Sequence, residues 1–123
     1  MSIWEIITSE SYDDWFQEQT EDDKALIRSK AYLLSEYGPN LCRPHADTLK
    51  GSKKLSNLKE LRAQTDAHVF RVAYIFDPDR KGLLLIGGDK KGKNQRKFYK
   101  NLIREAEHIY AAYLEKRTKM KEK

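Results

Sequence analysis

The 123-residue chain lacks the covalent and hydrophobic features of secreted and membrane proteins. Cys42 is its single cysteine, so it has no partner for an internal disulfide bond. The longest apolar runs fall far short of the roughly 20 residues that span a bilayer, and the first residues lack the basic and apolar regions of a signal peptide. The sequence therefore predicts a cytoplasmic protein with no membrane contact and a single modest core.

Positive charge is absent from the start of the chain. Residues 1–23 carry eight carboxylates and no lysine or arginine. Residues 24–123 hold 24 basic and 11 acidic groups, a balance of +13, compared with +5 for the whole chain. A basic body of this kind predicts a polyanionic partner, with nucleic acid the first candidate. The composition also allows the alternative that the basic charge serves only to keep the protein soluble.

The sequence also lacks the motifs of metal and cofactor sites. It contains no Walker-type loop, no HExxH and no cysteine cluster. Gly87, Gly88 and Gly92 do not fit the GxGxxG spacing of a dinucleotide-binding turn, and the three histidines are scattered along the chain. We therefore expect no metal site and no small-molecule cofactor.

The strongest structural signal is the stretch VFRVAYIFDPDRKGLLLIGG at residues 69–88. Two apolar runs flank a polar loop from Asp77 to Gly82, which predicts a β-hairpin. The first run is apolar at both odd-numbered and even-numbered positions. It therefore predicts a central strand that is covered on both faces. Arg71 interrupts this run. Because a guanidinium is rarely buried without a partner, we expect Arg71 to open into a groove or to meet an anion there.

Further elements are predicted on both sides of the hairpin. Residues 3–8 are typical of a short strand. Ser11 and Thr20 each stand three residues before an aspartate, the spacing of a capping box, so two helices should follow, the second over residues 21–37. Apolar side chains at helical spacing predict a last helix from about residue 95 to about residue 117.

The segment Leu58 to Gln64 fits either a helix or a strand. We assign a strand, because the segment is too short for a stable helix and the hairpin needs a neighbour. Alternation then places Glu60 and Arg62 on one face and Lys59 on the other. The irregular segment before it leaves room for one more short strand.

Together these elements predict an α+β fold. The sheet should be twisted and mostly antiparallel, with four to five strands, two N-terminal helices and a C-terminal helix. We expect a single domain over residues 1–117 and a basic, frayed tail over residues 118–123.

Cations converge on the predicted sheet and on the segment after the hairpin. Phosphodiester binding needs such cations, and an aromatic ring such as Tyr99 can stack on a base. A solvated surface charge is the alternative for each lysine, a paired structural role for Arg71, and a place in the core for Tyr99. The candidate RNA-binding residues are Lys50, Lys53, Lys54, Lys59, Lys91, Lys93, Arg96 and Lys97.

Two long phrases carry a family resemblance: RPHADTLKGSKKLSNLKELR, and FRVAYIFDPDRKGLLLIGGDKKGKNQRKFY. Together they resemble the phage-related HigB-like branch of the RelE/ParE toxin superfamily. The resemblance implies a RelE-like fold and the toxin of a type II toxin–antitoxin pair, bound by a helix-turn-helix, HigA-like antitoxin. It also implies a metal-independent, ribosome-dependent endoribonuclease that meets mRNA in the ribosomal A site together with rRNA.

The resemblance also implies which residues act. Arg71 matches the strand arginine of RelE-type toxins, and Lys90 or Lys91 matches the cation that follows the last strand. Tyr99 matches the C-terminal tyrosine that stacks on the substrate base, and Arg62 lies in a shared Leu-Arg step.

One departure leaves the general base open. Some relatives carry two alternating lysines before the Leu-Arg step, where this chain has Leu58 and Glu60. Glu60 is a candidate by its chemistry, and Lys50 and His45 are candidates by their proximity in sequence.

Three functions remain open from the sequence. In the nuclease, the ribose 2′-hydroxyl attacks the adjacent phosphate and cations stabilise the transition state. The alternatives are a ParE-like toxin that inhibits DNA gyrase and a non-catalytic RNA-binding domain. The set of Arg71, a lysine after the glycines and Tyr99 favours the nuclease. With Arg71 facing a groove, we expect Arg71→Ala to abolish toxicity and leave the fold intact.

Overall fold

The computed structural model describes residues 3–121 and contains one five-stranded sheet with helices on both faces. The α+β prediction is confirmed, and the two hairpin strands lie where the sequence predicts them. In chain order the elements are β1 (Ile6–Thr8), α1 (Glu10–Gln17), α2 (Glu21–Tyr37), a 3₁₀ turn (Gly38–Asn40), β2 (Ala46–Thr48), β3 (Lys59–Gln64), β4 (Val69–Phe76), β5 (Gly82–Asp89) and α3 (Gln95–Lys121).

The strand order is β1-β5-β4-β3-β2, so β4 is the central strand, as predicted. Strands β2 to β5 pair antiparallel with their neighbours, whereas β1 pairs parallel with β5. That parallel pairing spans only three residue pairs, from Ile6 with Gly82 to Thr8 with Leu84. Strand β2 is the additional short strand for which the irregular segment left room.

Both faces of β4 are covered by helices. Phe70, Val72 and Tyr74 pack with α1 and α2 on one face. Ala73 and Ile75 pack with α3 on the other. A strand that is apolar at both parities therefore forms the boundary between two apolar layers, and the odd-numbered residues of β4 face α3.

The helix ends differ from the predictions at two points. Helix α1 begins at Glu10, because the Ser9 side chain accepts a hydrogen bond from the Tyr12 N–H at 3.0 Å; the predicted cap at Ser11 is wrong. Thr20 caps α2, as predicted. Helix α3 continues to Lys121, so residues 118–121 are helical where a frayed tail was predicted, and the last two residues lie outside the described part. Within residues 3–121, no helix is apolar over enough length to cross a membrane.

Candidate functional site

A groove of about 420 Å³ opens on the α3 side of the sheet, beside β2, β3 and the first turns of α3. We call it the β3–α3 groove. Four of the five predicted catalytic residues line it, and the fifth, Arg71, contacts two of the lining residues from beneath. The lining consists of Arg43, Asp47, Thr48, Leu49, Lys50, Glu60, Arg62, Lys90, Gln95 and Tyr99.

Strand register explains why these residues meet. Asp47 of β2 lies opposite Glu60 of β3, and Arg62 lies opposite Arg71 of β4. Residues directly opposite in an antiparallel pair project on the same face. Glu60 and Arg62 are two positions apart, so they share that face too, as predicted. Helix α3 crosses it and adds Tyr99.

Glu60 is the centre of a buried hydrogen-bond network. It is 3% exposed, and its Oε1 accepts a hydrogen bond from the Tyr99 hydroxyl at 2.8 Å. Its Oε2 accepts from Arg62 Nη1 at 3.2 Å. Both carboxylate oxygens are therefore occupied, and the contacts hold Tyr99 and Arg62 in place.

Arg71 completes this network and is 2% exposed. Its Nε donates to the Tyr99 hydroxyl at 3.2 Å and lies 3.6 Å from Glu60 Oε1. Its Nη1 donates to the Phe70 carbonyl at 2.9 Å. The expectation that Arg71 faces an open groove is wrong: it meets an anion, but that anion is Glu60 of the protein itself. A guanidinium in an apolar strand is tolerated here because its partners are built in.

A second carboxylate holds the rim of the groove. Asp47 Oδ2 lies 2.7 Å from Arg43 Nη2 and 3.9 Å from Arg62 Nη1. The hydrogen bond from Arg43, followed by that from the Thr48 N–H, lowers the pKa of the Asp47 carboxyl and keeps it ionised. Arg62 is thus placed between two carboxylates, with about a quarter of its side chain exposed to the groove.

The pKa values of the Lys90 and Tyr99 side chains are both shifted by their surroundings. Burial, together with the positive charge of Arg71, lowers the pKa of the Lys90 ammonium. Burial raises the pKa of the Tyr99 hydroxyl, although its hydrogen bond from Arg71 opposes this. The Lys90 Nζ stands 5.3 Å from the centre of the Tyr99 ring. Tyr99 therefore stays protonated at neutral pH, and Lys90 releases its proton more easily than an ordinary lysine.

The groove contains five residues that the sequence analysis did not assign to the site: Arg43, Asp47, Thr48, Leu49 and Gln95. Arg43 and Asp47 come from the irregular segment before β3. Strand β2 is too short to leave a periodic signal, so their position depends on its register with β3. Gln95 begins α3 and accepts a hydrogen bond from Lys90 Nζ at 3.2 Å.

Several of the predicted cations lie elsewhere. Lys59 projects away from the groove and donates to the Pro39 carbonyl at 3.1 Å. Lys91 Nζ donates to the Asp66 carbonyl at 3.0 Å, which leaves Lys90 as the lysine after β5 that reaches the site. The Nδ1 of His45 lies 3.0 Å from Lys30 Nζ, and His45 is not part of the lining.

The remaining RNA-binding candidates divide between the groove, the solvent and another surface. Lys50 lines the groove. Lys93 and Lys97 line a second cleft, at the edge of β5. The other three, Lys53, Lys54 and Arg96, are exposed and belong to neither lining.

Cations outnumber carboxylates in the β3–α3 groove, and that excess suits an anionic ligand. Both carboxylates are already paired with arginine. Within residues 3–121, no group of three or more His, Cys, Asp or Glu side chains converges as metal ligands would. The arrangement offers positive charge, protonated donors and one aromatic ring to a phosphate and its attached base.

Comparison with known proteins gives one family and two curated relatives. A family model described as "Phage derived protein Gp49-like" matches residues 14–111. The chain is 36% identical over 98 residues to "Putative toxin HigB3" of Mycobacterium tuberculosis, covering 80% of this chain and 82% of that protein. It is 31% identical over 101 residues to "Putative toxin HigB2" of the same organism, where the match spans 49% of the relative's length.

Proposed function

Because this chain belongs to the Gp49-like family of phage-derived proteins and is similar to HigB toxins, we propose that it is the toxin of a toxin–antitoxin pair and cuts RNA in the β3–α3 groove. A cognate antitoxin is then its natural partner. We propose mRNA, presented by the ribosome, as the substrate.

One observation supports the nuclease above all. Arg62 lies on β3, Lys90 directly follows β5 and Tyr99 lies on α3, yet they present two cations and an aromatic ring in one groove. Electrostatic stabilisation of a phosphoryl transition state requires this kind of preorganised charge. A surface that binds RNA only by charge needs no buried network to hold its side chains.

In the proposed reaction the scissile phosphate contacts Arg62 and Lys90, and the Tyr99 ring stacks on an adjacent base. The ribose 2′-hydroxyl gives its proton to solvent water as its oxygen attacks phosphorus, so an O2′–P bond forms and the P–O5′ bond breaks. Lys90, whose pKa is lowered, donates a proton to the leaving 5′-oxygen. The products are a 2′,3′-cyclic phosphate and a 5′-hydroxyl.

Glu60 and Arg71 act as positioning residues in this proposal. Both are buried, and their hydrogen bonds go to Tyr99, to Arg62 and to the backbone. Glu60 is thus an unfavourable choice for the general base, since Tyr99 and Arg62 already occupy its oxygens. Of the other two candidates, Lys50 lines the groove and His45 does not.

The proposal predicts the chemistry of the cut and its effect in cells. Purified protein, with programmed ribosomes, should leave RNA fragments that end in a 2′,3′-cyclic phosphate, and the matching downstream fragments should begin with a 5′-hydroxyl. On expression in cells, pulse-labelling should show protein synthesis falling before DNA synthesis. An early fall in DNA synthesis with gyrase-dependent breaks would instead favour the ParE-like alternative.

Phosphate binding should depend on pH through Lys90. The ammonium binds phosphate only while protonated, and its pKa is lowered. Affinity for a non-cleavable 2′-O-methyl oligonucleotide should therefore fall as the pH rises, and at lower pH than an ordinary lysine would cause. Fluorescence anisotropy measures this directly. In Lys90→Arg the fall should disappear, because a guanidinium stays charged; an unchanged profile would exclude Lys90 as the phosphate ligand.

A further inference from the structure

A second cleft, of about 580 Å³, lies at the edge of β5 between α1 and α3. We call it the β5-edge pocket. The proposed reaction in the β3–α3 groove does not use it. The lining residues that matter most are Trp15, Gly87, Gly88, Lys97, Phe98 and Asn101.

Two aromatic rings flank the strand edge from opposite faces of the sheet. A Cβ atom added at Gly87 would lie 2.4 Å from the Trp15 ring, and one at Gly88 would lie 3.0 Å from the Phe98 ring. Successive residues of a strand project to opposite faces. Trp15 therefore stands above this edge and Phe98 below it, and both rings remain partly exposed. Any larger residue at Gly87 would drive Trp15 out of position.

Among the residues described, 3–121, no strand pairs with the outer side of the backbone between these rings. Strand β1 pairs with β5 only as far as Leu84, while β4 occupies the inner side through Asp89. The open edge in the pocket, Gly87 to Asp89, is about 7 Å long at the usual rise of a strand. That length suits the hydrogen-bonding edge of one base better than an added strand of typical length.

The polar groups of the pocket are ordered along α3. Lys93 and Lys97 lie at its N-terminal end, where the helix dipole also favours an anion. Asn101 and Glu105 follow at one-turn intervals on the same face of the helix. The carboxylate of Asp89 also lines the pocket, but it is already hydrogen-bonded by His68 and by the N–H groups of Val69 and Lys91. The pocket thus offers cations at one end and hydrogen-bond acceptors at the other.

The pocket and the β3–α3 groove are adjacent. Phe98 lines the pocket and Tyr99 lines the groove, and their ring centroids lie 5.4 Å apart. A single strand of RNA that places one base on Tyr99 reaches the pocket by crossing the first turn of α3.

We infer that the β5-edge pocket holds one unpaired nucleotide of the bound RNA, with its phosphate at Lys93 and Lys97 and its base between Trp15 and Phe98. The inference rests on the proposed function for the class of ligand. The Glu105 carboxylate only accepts hydrogen bonds, so it favours bases that carry an exocyclic amino group, and uracil binds least well. Stacking on both rings supplies the affinity that is independent of base identity.

Trp15 is the reporter for a direct test. In a Trp4→Phe background, Trp15 is the remaining tryptophan. Short 2′-O-methyl oligonucleotides of adenine should quench its fluorescence, and uridine oligonucleotides should do so at higher concentration. The double variant Lys97→Ala/Asn101→Ala should weaken the adenine titration by about tenfold, or about 1.4 kcal/mol. Lys116→Ala removes an equal charge far along α3 and should change it less than about twofold.

The outcomes separate this inference from the proposed function. Quenching that the double variant weakens supports the pocket, whether or not the protein cleaves RNA. Cleavage without Trp15 quenching overturns the pocket and leaves the nuclease standing. Quenching that is equal for adenine and uridine and insensitive to the double variant also overturns it. The inference is also overturned if hydrogen exchange shows that a co-purified antitoxin, but not RNA, protects the amides of Gly87 to Asp89.

Discussion

Replacing Arg71 with alanine should lower the free energy of unfolding by up to about 3–5 kcal/mol, because the substitution leaves the buried Glu60 carboxylate with the partly exposed Arg62 as its remaining cation. Arg71 is 2% exposed and Glu60 is 3% exposed. For a small domain with a margin of roughly 5–15 kcal/mol, this loss approaches complete unfolding. We expect the melting temperature to fall by about 10–20 °C and the urea midpoint to fall with it. Loss of toxicity in this variant would then follow from loss of fold.

A matched pair of variants tests the cause. Arg71→Met combined with Glu60→Gln removes both charges and keeps most of the buried volume, so it should recover part of the lost stability. Glu60→Gln alone should be destabilising too, because Arg71 is then the unpaired charge. If Arg71→Ala melted like the wild type, the buried pair would contribute nothing to stability, and the original expectation of a groove-facing arginine would be restored.

Replacing Lys90 with alanine should have the opposite pattern. Cleavage should fall by about 10²–10³, the usual effect of removing one preorganised transition-state donor. Stability should change by no more than about 0.5 kcal/mol, because Lys90 is partly exposed and its ammonium donates a hydrogen bond to the exposed Gln95 side chain. Single-turnover cleavage and thermal melts on the same preparation measure the two quantities.

Two controls accompany the Lys90 variant. Lys116→Ala removes the same charge from the far part of α3 and should leave cleavage within about twofold of the wild type. Lys90→Arg keeps the positive charge but cannot release a proton, so it should retain binding and still lose most of the cleavage. Full activity in Lys90→Ala would exclude Lys90 from the reaction and direct attention to Arg62.

The fold could be predicted from local patterns because the patterns are strong. The apolar side chains at both odd and even positions of β4 indicated a central strand. The two apolar clusters, one against α1 and α2 and the other against α3, confirm it. Strand β3 required a choice against helix propensity, which the hairpin's need for a neighbour decided correctly. The cap of α1 was missed because Ser11 has the capping-box spacing, whereas the hydroxyl of Ser9 also donates to the Leu85 carbonyl of β5, a contact distant in sequence.

The candidate site was harder to predict than the fold. The sequence identifies which cations lie near a strand. The face to which each side chain projects and the pairing register of the strands decide which of them come together in the site. Lys59 is adjacent to Glu60 and projects to the other side, whereas Asp47 is distant in sequence and lies opposite Glu60. Arg71 was expected to face a groove, because its partners in the protein, Glu60 and Tyr99, are 11 and 28 residues away in sequence. Contacts at such separations leave no local pattern.

The acidic start of the chain has a consequence for how the protein meets RNA. Helices α1 and α2 cover the face of the sheet opposite the β3–α3 groove, and every charged side chain from residue 1 to residue 23 is a carboxylate. The charge of the molecule is therefore uneven, with the acidic segment on the face away from the groove. The field of a polyanion turns such a molecule before contact, so that collisions begin with the groove facing the RNA. The carboxylates of α1 then influence the rate of association more than the strength of binding.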